Sequence, residues 1–366
     1  MKKFFALAAI AVLALASCSN NTLDTSRQKE ISYNAVNAKN TVSRAIINNS
    51  FYAPNDPAFG IWGLYQPTGW STDHAASVWI GESASAATQI TYGKDAENSD
   101  NSEAWRNRAS VDYWPLTGTL VFMGYSPYAN VSSKAAISVA NNKATLTVTN
   151  FQTTTGNWVD DLMWSDAVEA SSNTTNYDPD GVPTTTYNGV PVVFHHALSQ
   201  IAIFANTDKE YAGYTFTITA LSVTVDDNAT LTVADDLSTD PTVTWTEPST
   251  DATRTVLSSA SSALTTTFVK QGDSFLVIPQ TLTAAQDIIT VTYQVTHNNV
   301  TSTKTTNINL TGGVAQADPA SVTLSSFAAN TKYNLKLTFS LTEIKYSPDI
   351  VDWTSEVNSI IPVPAN

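Results

Sequence analysis

Residues 216–233 read FTITALSVTVDDNATLTV. From Phe216 to Val225, and again from Thr230 to Val233, aliphatic and β-branched residues alternate with threonine or serine, the period-two signature of strands with one buried face. Between them Asp226-Asp227-Asn228 is turn chemistry, because Asx side chains tolerate a left-handed backbone, and a hairpin is expected there. The same pattern recurs on both sides. Ala135-Ala-Ile-Ser-Val-Ala and Ala144-Thr-Leu-Thr-Val-Thr flank Asn141-Asn142, and Ile289-Thr-Val-Thr-Tyr-Gln-Val meets His297-Asn298-Asn299 before a Thr/Ser/Asn-rich return strand. Helical periodicity is almost absent. Short strands with one apolar face need a second sheet to cover them, so the chain is expected to be all-β and built of sandwiches.

Toward the N-terminus the character changes at Arg44. Residues 1–18, MKKFFALAAIAVLALASC, carry a short basic start (Lys2, Lys3), an apolar run from Phe4 to Ala14 too short to span a bilayer, and small residues before the chain's one cysteine. Leu15-Ala16-Ser17-Cys18 resembles the lipobox of bacterial lipoproteins, which makes 1–17 a signal peptide and Cys18 the lipidated first residue of the export product. Apart from that covalent lipid no cofactor is expected. Beyond Cys18 there is no thiol for a disulfide, a Cys nucleophile or a Cys-based metal site. Residues 18–44 are polar and read as a tether, except that Ile31, Tyr33 and Ala35 alternate with Ser32 and Asn34 in a short strand pattern.

With 42% hydrophobic and 10% aromatic residues, the remaining length suffices for two domains with packed cores. The loop-rich stretch ASSNTTNYDPDGVPTTTYNGV (170–190) places the boundary between an N-terminal sandwich, 45–188, and a C-terminal one, 189–366. Net charge is −14, and six of the 18 basic residues (Lys2, Lys3, Arg27, Lys29, Lys39, Arg44) lie in the first 44 positions, so the body is more acidic still. Such a surface repels nucleic acid.

No catalytic signature appears: G-x-S-x-G, H-E-x-x-H, phosphate loops and dinucleotide fingerprints are all missing. His195-His196 is the tempting pair, but neighbours on a strand point to opposite faces and cannot share one metal shell. Asp178-Pro-Asp180-Gly and Asp226-Asp227-Asn228 lack EF-hand spacing and read as turns. The chain is therefore expected to have no enzymatic activity and no metal site. Trp62, Tyr65, Trp70 and Trp79 concentrate aromatics in a Gly/Pro-rich stretch; exposed, they would form a stacking platform for a glycan or protein ligand, and buried, part of a core.

At the C-terminus, period two is sustained from Val351 through Trp353, Val357, Ile361 and Val363, with Ser355 and Ser359 between them on the same face. The segment 350–363 suits a strand donated to another molecule, or an ordinary last strand on its own chain.

Several patterns line up in order: Tyr113-Trp114-Pro115, Leu120-Val-Phe-Met-Gly-Tyr-Ser-Pro-Tyr128, Asp161-Leu-Met-Trp164, Val193-Phe-His-His-Ala-Leu-Ser-Gln-Ile201, Phe275-Leu-Val-Ile-Pro-Gln280, Tyr333-Asn-Leu-Lys-Leu and Asp352-Trp353. Together with the lipobox they resemble the fimbrillin (Mfa-like, FimA-type) lipoproteins of Bacteroidota. The resemblance implies two tandem transthyretin-like β-sandwich domains and a structural subunit of a type V pilus that supports adhesion. It further implies an outer-membrane lipoprotein precursor handled by lipid-modifying and signal-cleaving enzymes. A trypsin-like protease would then cut between Arg44 and Ala45, removing a strand carrying Ile31, Tyr33 and Ala35. The subunit would join the cell-surface fimbrium by strand exchange with neighbouring subunits and meet a host or bacterial surface receptor. A permanently lipid-anchored binding module is the alternative.

Overall fold

The structure, a computed structural model, describes residues 30–37, 58–70, 77–94, 103–107, 109–129, 131–140, 142–153, 161–171, 189–246, 251–283, 287–312 and 324–352. Apart from one 3-10 turn at Leu310–Gly312, the regular structure among them is strand. The N-terminal half supplies β1 (Tyr33–Asn37), β2 (Phe59–Gln66), β3 (Ser77–Ile80), β4 (Thr88–Lys94), β5 (Glu103–Asn107), β6 (Thr119–Ser126), β7 (Ala135–Ala140), β8 (Lys143–Gln152), β9 (Met163–Ser165) and β10 (Val168–Ala170). Then follow β11 (Val190–His196), β12 (Ser199–Thr207), β13 (Tyr214–Asp226), β14 (Asn228–Asp235), β15 (Thr242–Thr246) and β16 (Asp251–Leu257). The remainder are β17 (Val269–Lys270), β18 (Phe275–Val277), β19 (Gln280–Thr281), β20 (Ile288–His297), β21 (Val300–Asn309), β22 (Ser326–Phe327), β23 (Thr331–Phe339) and β24 (Ile344–Asp352).

Two of the three expected hairpins form. β7 and β8 turn at Asn142, whose φ is 60°, and β20 and β21 turn at Asn298 (φ 49°) and Asn299 (φ 67°), the left-handed pair that a two-residue hairpin needs. The third does not form. β13 pairs with β16 and β20, whereas β14 pairs with β8 and β15, so Asp226-Asp227-Asn228 carries the chain from one sandwich to the other. Nonlocal partners hold this crossing: Asp226 N–H donates to the Gln280 side chain, and Thr153 N–H donates to the Asp227 carbonyl.

The C-terminal sandwich sets the sheet β17-β12-β23-β24, with β18 also on β12, against β16-β13-β20-β21. Its core includes Ile203, Phe216, Val223, Val291, Leu335 and Phe339. The alternation in β13 changes phase, from Phe216 and Ile218 to Leu221, Val223 and Val225, and a register shift between Ile218 and Ala220 keeps all five inward. β8 does the same. Its inward Ala144, Leu146 and Val148 are followed by Phe151, and Asn150 at φ 50° takes up the extra residue.

The N-terminal body packs β15-β14-β8-β7 on a nine-stranded sheet ordered β10-β6-β9-β11-β1-β5-β4-β2-β3. An additional β2–β6 pairing closes that sheet on itself, so that β6, β9, β11, β1, β5, β4 and β2 form a continuous ring. Closure removes sheet edges that would otherwise stand unpaired. Inside the ring lie Ile31, Tyr33, Phe59, Trp105, Phe122 and Phe194.

The sheets do not divide at 188/189. β11 is a stave of the N-terminal ring, and β14 and β15 complete its covering sheet, although all three follow residue 189. The loop-rich 170–190 segment connects β10 and β11, two strands of one sheet. Its punctuation signals a turn and carries no information about which sheet the next strand joins.

Candidate functional site

β1 is the first strand of the ring in the chain. It runs parallel to β11 over Tyr33↔Val190 to Asn37↔Phe194 and antiparallel to β5 at Tyr33↔Trp105. Hydrogen bonds fix its start: Ile31 N–H donates to the Asp112 carbonyl at 2.8 Å, and Val190 N–H donates to the Ser32 carbonyl at 2.7 Å. Ile31, Tyr33 and Ala35 are each 2% exposed, so the alternation read from the sequence corresponds to one fully buried face. Polar residues in a tether would have no reason to keep that period.

Tyr33 is the centre of this face. Its ring meets Phe59 of β2 and Phe122 of β6 edge-on at 6.1 and 5.9 Å, and Phe59 in turn touches Trp105 of β5 and Phe194 of β11, both at 5.3 Å. Edge-to-face geometry at these separations adds roughly 0.5–1.5 kcal/mol per pair beyond area burial. Burial, assisted by the nearby negative charge of Asp112, pushes the Tyr33 phenol well above its ordinary pKa. Asp112 itself is raised, chiefly by desolvation and also by Glu30, while a hydrogen bond from Asn107 opposes the shift.

Two features of this site were not singled out from the sequence. Glu30 accepts a hydrogen bond from Arg106 at 3.0 Å, clasping the entry of β1 to β5. Gly189, at φ 148°, lies so close to β1 that a Cβ there would sit 2.9 Å from the Tyr33 carbonyl carbon. The Asn188-Gly189 dipeptide just before Pro191-Val-Val-Phe was the available signal for the second.

The four aromatics expected to act together are separated by the fold. Trp62 is fully buried, with Tyr125 at 5.6 Å and its indole N–H on the Ser83 carbonyl, so it offers no face to a ligand. Trp70 is half-buried and donates to the Asn142 carbonyl at 3.1 Å. Tyr65 and Trp79 do meet, at 5.5 Å, and Trp79 is 46% exposed, with its indole N–H on the Tyr113 carbonyl.

His195 and His196 point to different partners. His195 hydrogen-bonds Asp166 at 2.9 Å and stacks on Trp164 at 4.4 Å, while His196 hydrogen-bonds Asp161 at 2.5 Å. Among the described residues no group of three His, Cys, Asp or Glu is placed to hold a metal.

Of the C-terminal alternation, Val351 lies in β24, opposite Lys332 of β23, so the segment begins as a strand on its own chain. Trp353, Val357, Ile361 and Val363 lie outside the described residues, as do Cys18, Arg44 and Ala45.

A family profile described as fimbrillin-like matches residues 64–353. Among solved structures, a fimbrial protein from Bacteroides vulgatus aligns with a TM-score of 0.50 at 17% identity, over 89% of this chain and 99% of that one. A candidate cell adhesion protein from Bacteroides uniformis aligns at 0.47 and 18%, over 90% and 99%. Another, from Parabacteroides distasonis, aligns at 0.46 and 13%, over 89% and 100%. The first of these likenesses is one of fold. A comparison with curated proteins finds no match.

Proposed function

The chain belongs to the fimbrillin-like family, and from that premise we propose that it is a structural subunit of a cell-surface fimbrium. It is exported as a lipoprotein anchored through Cys18, cut by a trypsin-like protease between Arg44 and Ala45, and polymerised by strand donation. The observation that carries this reading is the place of β1. It is a stave of a closed ring, yet it precedes the cut and would leave with the lipidated segment. Its loss leaves one edge of β11 and one edge of β5 without a partner and opens the apolar interior to water, two costs that a strand from a neighbour relieves together. Three arginines follow Arg44: Arg254 is buried, which supports the reading, the partner of Arg106, Glu30, would leave with β1, and Arg108 lies outside the described residues.

Full-length precursor treated with a trypsin-like protease is expected to yield Ala45 as its new N-terminus and to form SDS-resistant ladders, while Arg44→Ala stays monomeric. Ladders from uncleaved Arg44→Ala would overturn the scheme. A permanently lipid-anchored binding module is the second reading, favoured by the exposed Trp79–Tyr65 pair. On that reading Trp79→Ala weakens glycan binding without changing oligomeric state, and acylated Cys18 persists in cells.

A further inference from the structure

Among the described residues of the N-terminal half, the large hydrophobic side chains that stand exposed are Trp79, Val111, Tyr113 and Leu116. They gather at one end of the ring, where β5 ends and β1 and β6 begin. The segment 111–116 crosses that end as a fixed platform. Trp114 anchors it in the ring at 5.6 Å from Phe122, and the Asn107 side chain donates to Asp112 and accepts from the N–H groups of Ala109 and Ser110. Trp79 is tied to the platform by its indole N–H, which donates to the Tyr113 carbonyl at 2.9 Å, so what Trp79 and Leu116 present outward is hydrocarbon. We propose that in the uncleaved precursor this apolar end rests on a lipid surface, so that the ring stands on the membrane with the entry of β1 beneath it. This rests on the reading above that Cys18 is lipidated, and adds to it an orientation.

The path of the chain selects that occupant. Glu30 bridges Tyr113, and Ile31 N–H donates to the Asp112 carbonyl, so the N-terminal segment leaves the ring at the patch itself. Cys18 stands twelve residues before Glu30, a span of no more than about 43 Å. A compact body of this length is about 50 Å across, so acyl chains on Cys18 keep the patch end nearer the bilayer than the opposite end. The side chains suit that neighbour. Indole and phenol rings settle at the headgroup level, with valine and leucine reaching below them. A sugar would need polar groups free beside the rings, and the Trp79 N–H is already engaged within the molecule. Net charge of −14 repels an anionic surface, so headgroups without net charge are the ones that fit. The acyl chains supply attachment, and the patch sets the pose.

Acylation consumes the chain's one thiol, so Thr117→Cys, at an exposed position beside Leu116, leaves a single site for an environment-sensitive fluorophore. Val300→Cys, on the C-terminal sandwich, is the comparison. Uncleaved, acylated full-length precursor is labelled and reconstituted into phosphatidylcholine vesicles, with the unacylated Cys18→Ser chain in solution as reference. The label at 117 should gain intensity several-fold, shift to the blue and lose most of its quenching by iodide, while the label at 300 stays at its reference values. Val111→Glu with Leu116→Glu should abolish the response at 117 and leave the protein on the vesicles. Iodide reaching 117 as freely as 300 on vesicle-bound protein would overturn the pose and leave lipidation standing. Protection of 117 without vesicles, growing with the concentration of the Cys18→Ser chain, would overturn it in favour of a second copy on the patch. A precursor whose mass carries no acyl group, and that does not float with vesicles, would overturn the lipidation reading beneath it.

Discussion

Tyr33 joins a short, early segment to the interior of the ring. Its ring is held by Phe59 and Phe122, and its phenol makes no hydrogen bond, so apolar burial is what it contributes. Removing such a ring leaves a cavity costing about 3–5 kcal/mol. Tyr33→Ala should therefore destabilise the uncleaved precursor by that amount in urea unfolding, and leave the assembled, cleaved form unchanged, because the residue is no longer part of it. Equal losses in both forms would mean that β1 stays in place. This residue was legible in the sequence because Ile31, Tyr33 and Ala35 keep period two inside an otherwise polar stretch. Trp62 was not legible in the same way. β2 is covered on both faces, Phe59 and Ile61 lying inside the ring and Trp62 and Leu64 against the covering sheet. A strand buried on both sides gives no alternation from which to tell an inward ring from an exposed one.

At the scale of elements, the crossing from β13 to β14 is held by a single buried cation. Arg254 of β16 is 3% exposed; its Nη1 donates to the Leu276 carbonyl at 2.6 Å, its Nη2 donates to the Thr153 carbonyl just after β8, and the guanidinium lies over Phe275 at 5.3 Å. Desolvation lowers its pKa to about 10 against the supporting charge of Asp227. The charge is retained because one planar group satisfies carbonyls from both sandwiches. Arg254→Ala strands those acceptors and should cost roughly 3 kcal/mol in thermal or urea unfolding. Arg254→Lys should recover less than half of that, since a point charge cannot serve two carbonyls in a fork. Full rescue by lysine would show that charge alone is what matters. The same crossing explains where sequence reading reached its limit. Asp226-Asp227-Asn228 has the composition of a hairpin turn, and local chemistry specifies that the chain turns. Whether β14 returns to β13 or departs to β8 depends on nonlocal partners, Thr153, Gln280 and Arg254, which adjacent residues do not encode. The boundary expected at 189 failed to coincide with the sheets for the same reason.

For the molecule as a whole, the buried phenols set the alkaline limit. Burial raises Tyr33, Tyr125, Tyr333 and Tyr346 above the ordinary tyrosine value. In the unfolded chain these groups ionise near pH 10, whereas in the fold they keep their protons. Their stabilising contribution is thus complete below pH 10 and is lost as pH climbs toward the folded values. Arg254 acts in the opposite sense, because its folded pKa of about 10 lies below the unfolded one and stability from it grows with pH over that interval. Four phenols against one guanidinium leave a net fall above pH 10. Each phenol contributes a slope of about 1.4 kcal/mol per pH unit. Of the four, only Tyr33 lies N-terminal to Arg44, and it would leave with the cleaved segment. The alkaline slope of unfolding should therefore be shallower by about 1.4 kcal/mol per pH unit in the cleaved, assembled form than in the precursor. Urea titrations between pH 9.5 and about 11 measure the difference, with phenolate absorbance as an independent count of late-ionising tyrosines. Identical slopes and identical late phenols would place Tyr33 inside both forms, and the ring would then be closed by its own first strand throughout.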